Sequence, residues 1–301
     1  MKRRYKLKIN GESPRSLLLA FVLAKLRCDI YIYNFILNSN SNKNDQLFLF
    51  SNSSKNLLSK INIWDEIEDI TYGFNSLAIK DNLLKEELLL RTKNISEKYF
   101  NNIGWTAKYS DLKRLLINKL IKNKNVHFIS KNQIIDKPIN FDFEFNFKNH
   151  ENTKKRFKSA LSTITSQDEK ILIFNVYLRG HAEKRFYEIN TIEGLLILTP
   201  LNKNLYQIIW KNASSRIKEN SINSKSFFLD NLTTLLPNEL KIDQIIGDIN
   251  FLNLSNIGSS YLIKNNSFCV NENKFESNTI FNFDFDLIIK TILNIYNFLE
   301  N

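Results

Sequence analysis

The chain has 301 residues, of which 43% are hydrophobic and 12% aromatic, enough to bury one large or two small cores and too apolar for a disordered chain. Its net charge of +11 would suit a nucleic acid or an anionic membrane. However, only 10 of the 42 basic residues are Arg and no Arg cluster occurs, whereas phosphate-reading surfaces favour the bidentate Arg fork. No nucleic-acid partner is expected; the charge reads as compositional drift toward Lys, Asn and Ile.

The longest clean apolar run, Leu17 to Ala24, falls well short of the roughly 20 residues a spanning helix needs. The basic start Met1-Lys2-Arg3-Arg4 is followed by Lys6 and Lys8 and by no small-residue cleavage site, so a signal peptide is not expected. Two distant cysteines, Cys28 and Cys269, read as free thiols of a reduced cytoplasm. The expected location is cytoplasmic, with peripheral membrane contact at most. Glycine is scarce, 7 of 301 residues against a usual share of about 7%.

Tyr5 to Ile9 reads as a strand and Asn10 to Ser13 as a turn. A helix is predicted over Pro14 to Leu26, with Ser13 as N-cap and Pro14 at the first helical position. Its run Leu17–Ala24 is apolar all round, which predicts burial. Ile30 to Tyr33 reads as a second strand, completing a βαβ unit. The spacing predicts a short strand over Leu47–Phe50, a helix over Ser54–Ile67, a helix over Asp111–Ile121 capped by Ser110, and a strand over Val126–Ile129. Lys137 to Lys170 is polar with weak periodicity. Ile171–Leu178, Gly194–Leu201 and Tyr206–Lys211 read as strands at hairpin spacing, Ser224–Leu236 as a helix, and Ile280–Leu299 as a helix with Ile288, Ile292 and Ile295 on one side.

The fold class is therefore α/β: a Rossmann-like βαβ domain formed by residues 1–170 and 240–301, with a second, antiparallel-sheet domain over 171–239. Lys6 and Lys8 sit awkwardly in a central parallel strand, which is usually apolar on both faces; they predict that one face is less covered.

Three stretches, in order, resemble the FAD-dependent aromatic-ring hydroxylases of the ubiquinone-biosynthesis type: QLFLFSNSSKNLLSKINIWDEI at 46–67, IGWTAKYSDLKRLL at 103–116, and KRFYEINTIEGLLILTPL at 184–201. With the N-terminal βαβ unit they cover most of the chain, which resembles a shortened family member. The family's flavin motifs are eroded here. Its G-x-G-x-x-G turn, where glycines let backbone approach a pyrophosphate, aligns with Gly11, Ser13 and Ser16. The ribose-binding carboxylate aligns with Asn34, and an Arg near the flavin with Gln46. The middle motif aligns with Lys158–Thr165. The third motif aligns with Asn271-Glu272-Asn273, where Glu272 keeps a carboxylate, and the ring-contacting segment with Ile280–Asp284, which includes Asn282.

The resemblance implies FAD as cofactor, NAD(P)H as reductant if the chain is active, and an apolar aromatic or quinone-precursor ligand. It assigns Gly11, Ser13, Ser16, Asn34, Gln46, Glu272 and Asn282 to the cofactor. Because the flavin carries the chemistry, no protein acid or base is assigned. The lost glycines predict weak flavin binding, which leaves two readings: a divergent monooxygenase, or a non-catalytic binding or assembly protein. His127, His150 and His181 lack ligand spacing, so no metal is expected. Neither a G-x-S-x-G elbow nor a P-loop occurs. Trp64 and Trp105 read as core aromatics.

Overall fold

A computed structural model describes residues 4–35, 47–92, 101–130, 139–148, 168–179, 184–211, 225–255, 262–264, 266–271 and 283–300. In chain order the elements begin β1 (Tyr5–Asn10), α1 (Pro14–Leu23), β2 (Cys28–Phe35), β3 (Leu47–Ser51), α2 (Asn52–Lys60), α3 (Trp64–Glu68), β4 (Thr71–Phe74), β5 (Ser76–Asp81) and β6 (Glu86–Arg91). They continue with β7 (Gly104–Lys108), α4 (Tyr109–Ile121), β8 (Val126–Ser130), β9 (Phe143–Lys148), β10 (Asp168–Arg179), β11 (Arg185–Thr191), β12 (Gly194–Pro200) and β13 (Leu205–Lys211). The last are α5 (Lys225–Leu235), β14 (Lys241–Ser255), β15 (Leu262–Lys264), β16 (Ser267–Asn271) and α6 (Phe283–Glu300).

The first sheet has the order β15-β16-β9-β1-β2-β8. Strands β16, β9, β1, β2 and β8 are mutually parallel, and β15 is an antiparallel edge. As expected, β1 and β2 run parallel, in the register Tyr5↔Cys28 to Asn10↔Tyr33. On β1, Leu7 and Ile9 are fully buried in a core shared with Leu17, Leu18, Leu116 and Ile289. Lys6 and Lys8 alternate to the opposite face. There Lys8 lies 3.3 Å from Glu144 and 5.2 Å from the Tyr33 ring. Strand alternation thus resolves the lysines: β1 is apolar on one face only.

The second sheet has the order β14-β10-β13-β12-β11-β5-β6. It is antiparallel except where β5 meets β11. Strands β12 and β13 form the expected antiparallel pair, Leu195↔Lys211 to Pro200↔Tyr206, in a sheet separate from the first. Helix α5 covers one face, with Phe228 packed against Phe174 and Trp210 at ring-centroid distances of 5.1 and 5.7 Å. A third, three-stranded sheet, β3-β7-β4, brings Trp105 against Trp64 in the first core, 5.2 Å apart and edge-on.

Several elements depart from expectation. The helix expected over 54–67 is two helices, because Asn62 is left-handed (φ 53°). Its N–H bonds Ser59 and that of Ile63 bonds Leu58, both at 3.0 Å, the Schellman pattern that ends a helix. Helix α1 stops at Leu23, followed by shorter-range bonds from Lys25 to Val22 and Leu26 to Leu23. Ser110 lies inside α4, whose N-cap is Lys108 with no side-chain cap bond. Among the described side chains of α6, Ile289, Ile292 and Leu299 are buried and Ile295 packs against the same core; the Ile288 side chain lies outside the described residues. Strand β9 lies in the stretch read as aperiodic, although Phe141, Phe143, Phe145 and Phe147 alternate there with polar residues. Strand β11 is an additional strand. The second sheet also takes β5, β6 and β14 from outside residues 171–239. Residues 158–165 lie outside the described residues.

Candidate functional site

The C-terminal ends of β2, β1, β9 and β16 stand side by side. The chain leaves β1 for β2 on one side and pairs with β9 on the other, so the topological switch point falls between β1 and β9. Open parallel sheets bind their ligands at this place. Asn10 at the end of β1 donates to Asn146 of β9 at 2.6 Å, and Asn146 donates to Ser267 of β16 at 3.0 Å. These side chains link the end of β1 through the middle of β9 to the start of β16.

Gly11 follows β1 with φ +142°. A Cβ there would stand 2.9 Å from Phe147 Cβ and 3.0 Å from its carbonyl oxygen. The surviving glycine is therefore required by the close approach of β9. The sequence carried this signal in the Phe alternation, without showing that Phe147 closes on the turn.

Ser13 is the N-cap of α1, as expected (φ −72°, ψ 156°), and its hydroxyl accepts from the Ser16 N–H at 3.2 Å. The Ser16 hydroxyl turns back to donate to the Ser13 carbonyl at 2.8 Å. Ser16 is fully buried, and its Cβ lies 3.5 Å from the Cβ position of Gly11. The third glycine position therefore tolerates serine by folding its hydroxyl onto the helix. The N–H groups of a first helical turn are the usual anion donors, and the Ser13 cap engages that of Ser16.

Between these serines stands Arg15, a residue the motif comparison passed over. It is only 9% exposed, and its Nε is buried without a hydrogen-bond partner. Glu12, in the same turn, is 3.4 Å from Lys113 of α4. The only signal for Arg15 in the sequence is a guanidinium placed in the first turn of a helix that is otherwise apolar.

Asn34 lies in β2 next to Tyr33, whose carbonyl receives a long bond from the Gly11 N–H at 3.5 Å. The turn and the end of β2 thus adjoin. Gln46, Glu272 and Asn282 lie outside the described residues; Asn271, just before Glu272, ends β16 beside Lys148 of β9. His127 stacks on Tyr31 with ring centroids 4.8 Å apart. Burial, then the Asp29 carboxylate, push the Cys28 thiol up to about 11, so it is not a nucleophilic thiolate at neutral pH.

On the second sheet, the face opposite α5 carries Phe186, Ile197 and Leu77, packed with Leu49 and Ile103 from the third sheet's side. Glu188 lies on this face. Burial raises its carboxyl, opposed by Lys211, and its Oε2 is buried without a partner.

These contacts fit a flavin dinucleotide only in part. The buried guanidinium and the helix N-terminus suit a phosphate, whereas the backbone cradle that glycines provide is partly closed by the Ser13–Ser16 bonds.

Neither protein-family profiles nor curated protein sequences match the chain. Solved structures do. Over 99% of this chain and 80% of the other, p-nitrophenol 4-monooxygenase PnpA from Pseudomonas putida superposes with a TM-score of 0.70 at 11% identity. PqsL, a probable FAD-dependent monooxygenase from Pseudomonas aeruginosa, gives 0.71 at 10% identity over 99% and 86%. A tryptophan halogenase from Shewanella frigidimarina gives 0.67 at 11% over 98% and 71%. At such identities the likeness concerns the fold. The chain has the α/β fold of the flavin-dependent monooxygenases, and no helix of its described residues is long and apolar enough to cross a membrane.

Proposed function

We propose that the chain is a divergent flavin-monooxygenase-fold protein of the quinone-biosynthesis aromatic-hydroxylase type that binds FAD weakly. The observation that carries this reading is the turn from Gly11 to Ser16. It keeps the βαβ position and the close helix approach of a dinucleotide site, while its serines bond each other rather than leaving donors toward a ligand. Bound FAD would supply oxygen activation with NAD(P)H as reductant. The chain's own part is to hold the cofactor at the strand ends and to bind an apolar aromatic or quinone-precursor compound. The internal closure of the turn also favours a second reading, a non-catalytic binding or assembly protein on the same scaffold.

The test is the visible spectrum of the purified protein, with flavin assayed after denaturation. We expect little or no bound flavin, weak saturable binding on titration with FAD, and tighter binding in the Ser13→Gly/Ser16→Gly variant. A yellow protein with near-stoichiometric flavin that oxidises NAD(P)H with an aromatic acceptor would refute weak binding. No FAD binding in either form would leave the non-catalytic reading.

A further inference from the structure

Arg15 is nine-tenths buried, and its Nε is sealed from water without a hydrogen-bond partner. No ion pair among the described residues reaches its guanidinium. The carboxylate closest in sequence, on Glu12, is drawn to Lys113 at 3.4 Å. A guanidinium stays charged in proteins, so this group cannot escape its position by losing a proton, and an unpaired buried charge is strongly unfavourable.

Side chains on a helix tilt toward its N-terminus. Arg15 is the second residue of α1, so its side chain leans toward the turn at the end of β1. The helix N-terminus adds a second positive feature there, and the turn stands at the switch point of the parallel sheet. Two positive features converge on a ligand-binding position with no counter-charge from the described residues.

We propose that Arg15 is a phosphate-binding residue. Its guanidinium, with the α1 N-terminus, takes a phosphate or pyrophosphate group of a nucleotide, so that side-chain charge replaces the backbone donors that the Ser13–Ser16 bonds withdraw. The proposal rests on the nucleotide reading above only for what the phosphate is attached to.

The experiment titrates inorganic pyrophosphate, and separately FAD, into the wild type, Arg15→Met and Arg15→Lys, read by calorimetry and melting temperature. Met keeps the packing of the stem and removes the charge. Pyrophosphate should raise the melting temperature of the wild type. Its affinity should fall about tenfold or more in Arg15→Met and partly survive in Arg15→Lys. The ligand-free Arg15→Met protein should melt at or above the wild type, because an unpaired charge has been removed; a clear loss of stability would show that the fold already pairs Arg15 and would overturn the proposal. So would pyrophosphate binding that is absent from the wild type or unchanged in Arg15→Met. Pyrophosphate bound through Arg15 without FAD binding upholds this assignment while the flavin reading falls. FAD bound equally by the wild type and Arg15→Met does the reverse.

Discussion

Glu188 stands in a row with Ile173, Ile209, Ile197 and Ile79 on neighbouring strands of the second sheet. Desolvation among these side chains lifts its carboxyl above the ordinary range, and Lys211 only offsets this. A raised carboxyl binds more protons folded than unfolded. Its contribution therefore favours the fold at acid pH and declines as pH rises from the ordinary carboxylate range through the raised value. Glu188→Gln should melt higher than the wild type at neutral pH, and the difference should shrink toward acid pH; a difference independent of pH would contradict this. At Gly11 the limit is steric. Gly11→Ala would force a Cβ to 2.9 Å from Phe147 Cβ at a φ of +142°, a conformation that side chains rarely adopt. Denaturant titration should show a loss of about 1–3 kcal/mol.

Helix α1 is buried through most of its length, including Leu17, Leu18, Leu19 and Leu23, so its stability comes from packing more than from propensity. Leu18→Ala should cost about 2–5 kcal/mol. Ile192, 81% exposed in the hairpin between β11 and β12, should tolerate Ala within about 0.5 kcal/mol. Equal effects on unfolding midpoints would show that α1 is not a core element. Elements with strong local patterns were legible in the sequence: α1 from its apolar run and Ser13-Pro14 start, and β12 and β13 from two apolar stretches around a polar link. The break between α2 and α3 was not, because Asn62 is compatible with a helix and only the left-handed turn closing on Leu58 and Ser59 ends it. Strand β9 was legible in principle. Its Phe/polar alternation is a period-two signal, obscured by the charged composition around it.

The second and third sheets meet where the Thr106 hydroxyl donates to the Pro200 carbonyl at 2.7 Å, across 94 residues of sequence. Thr106 is buried, and Val nearly matches its shape. Thr106→Val should therefore cost about 0.5–1.5 kcal/mol through the lost bond alone. An unchanged unfolding midpoint would mean that the apolar contacts of Phe74, Leu77, Phe186 and Ile197 hold the sheets together without it.

By itself the sequence determined the α/β class, the parallel β1–α1–β2 unit and the position of the turn after β1, because each rests on local periodicity, capping and a single glycine. Only the tertiary structure decided how that turn is furnished. Phe147 is separated from Gly11 by more than a hundred residues, yet parallel pairing of β1 with β9 brings them together and makes that glycine obligatory. The mutual bonding of Ser13 and Ser16 follows from helix geometry, whereas the burial of Arg15 follows from the packing around α1. No local pattern records that last feature: whether a charge meets water or a partner depends on what the rest of the chain places around it.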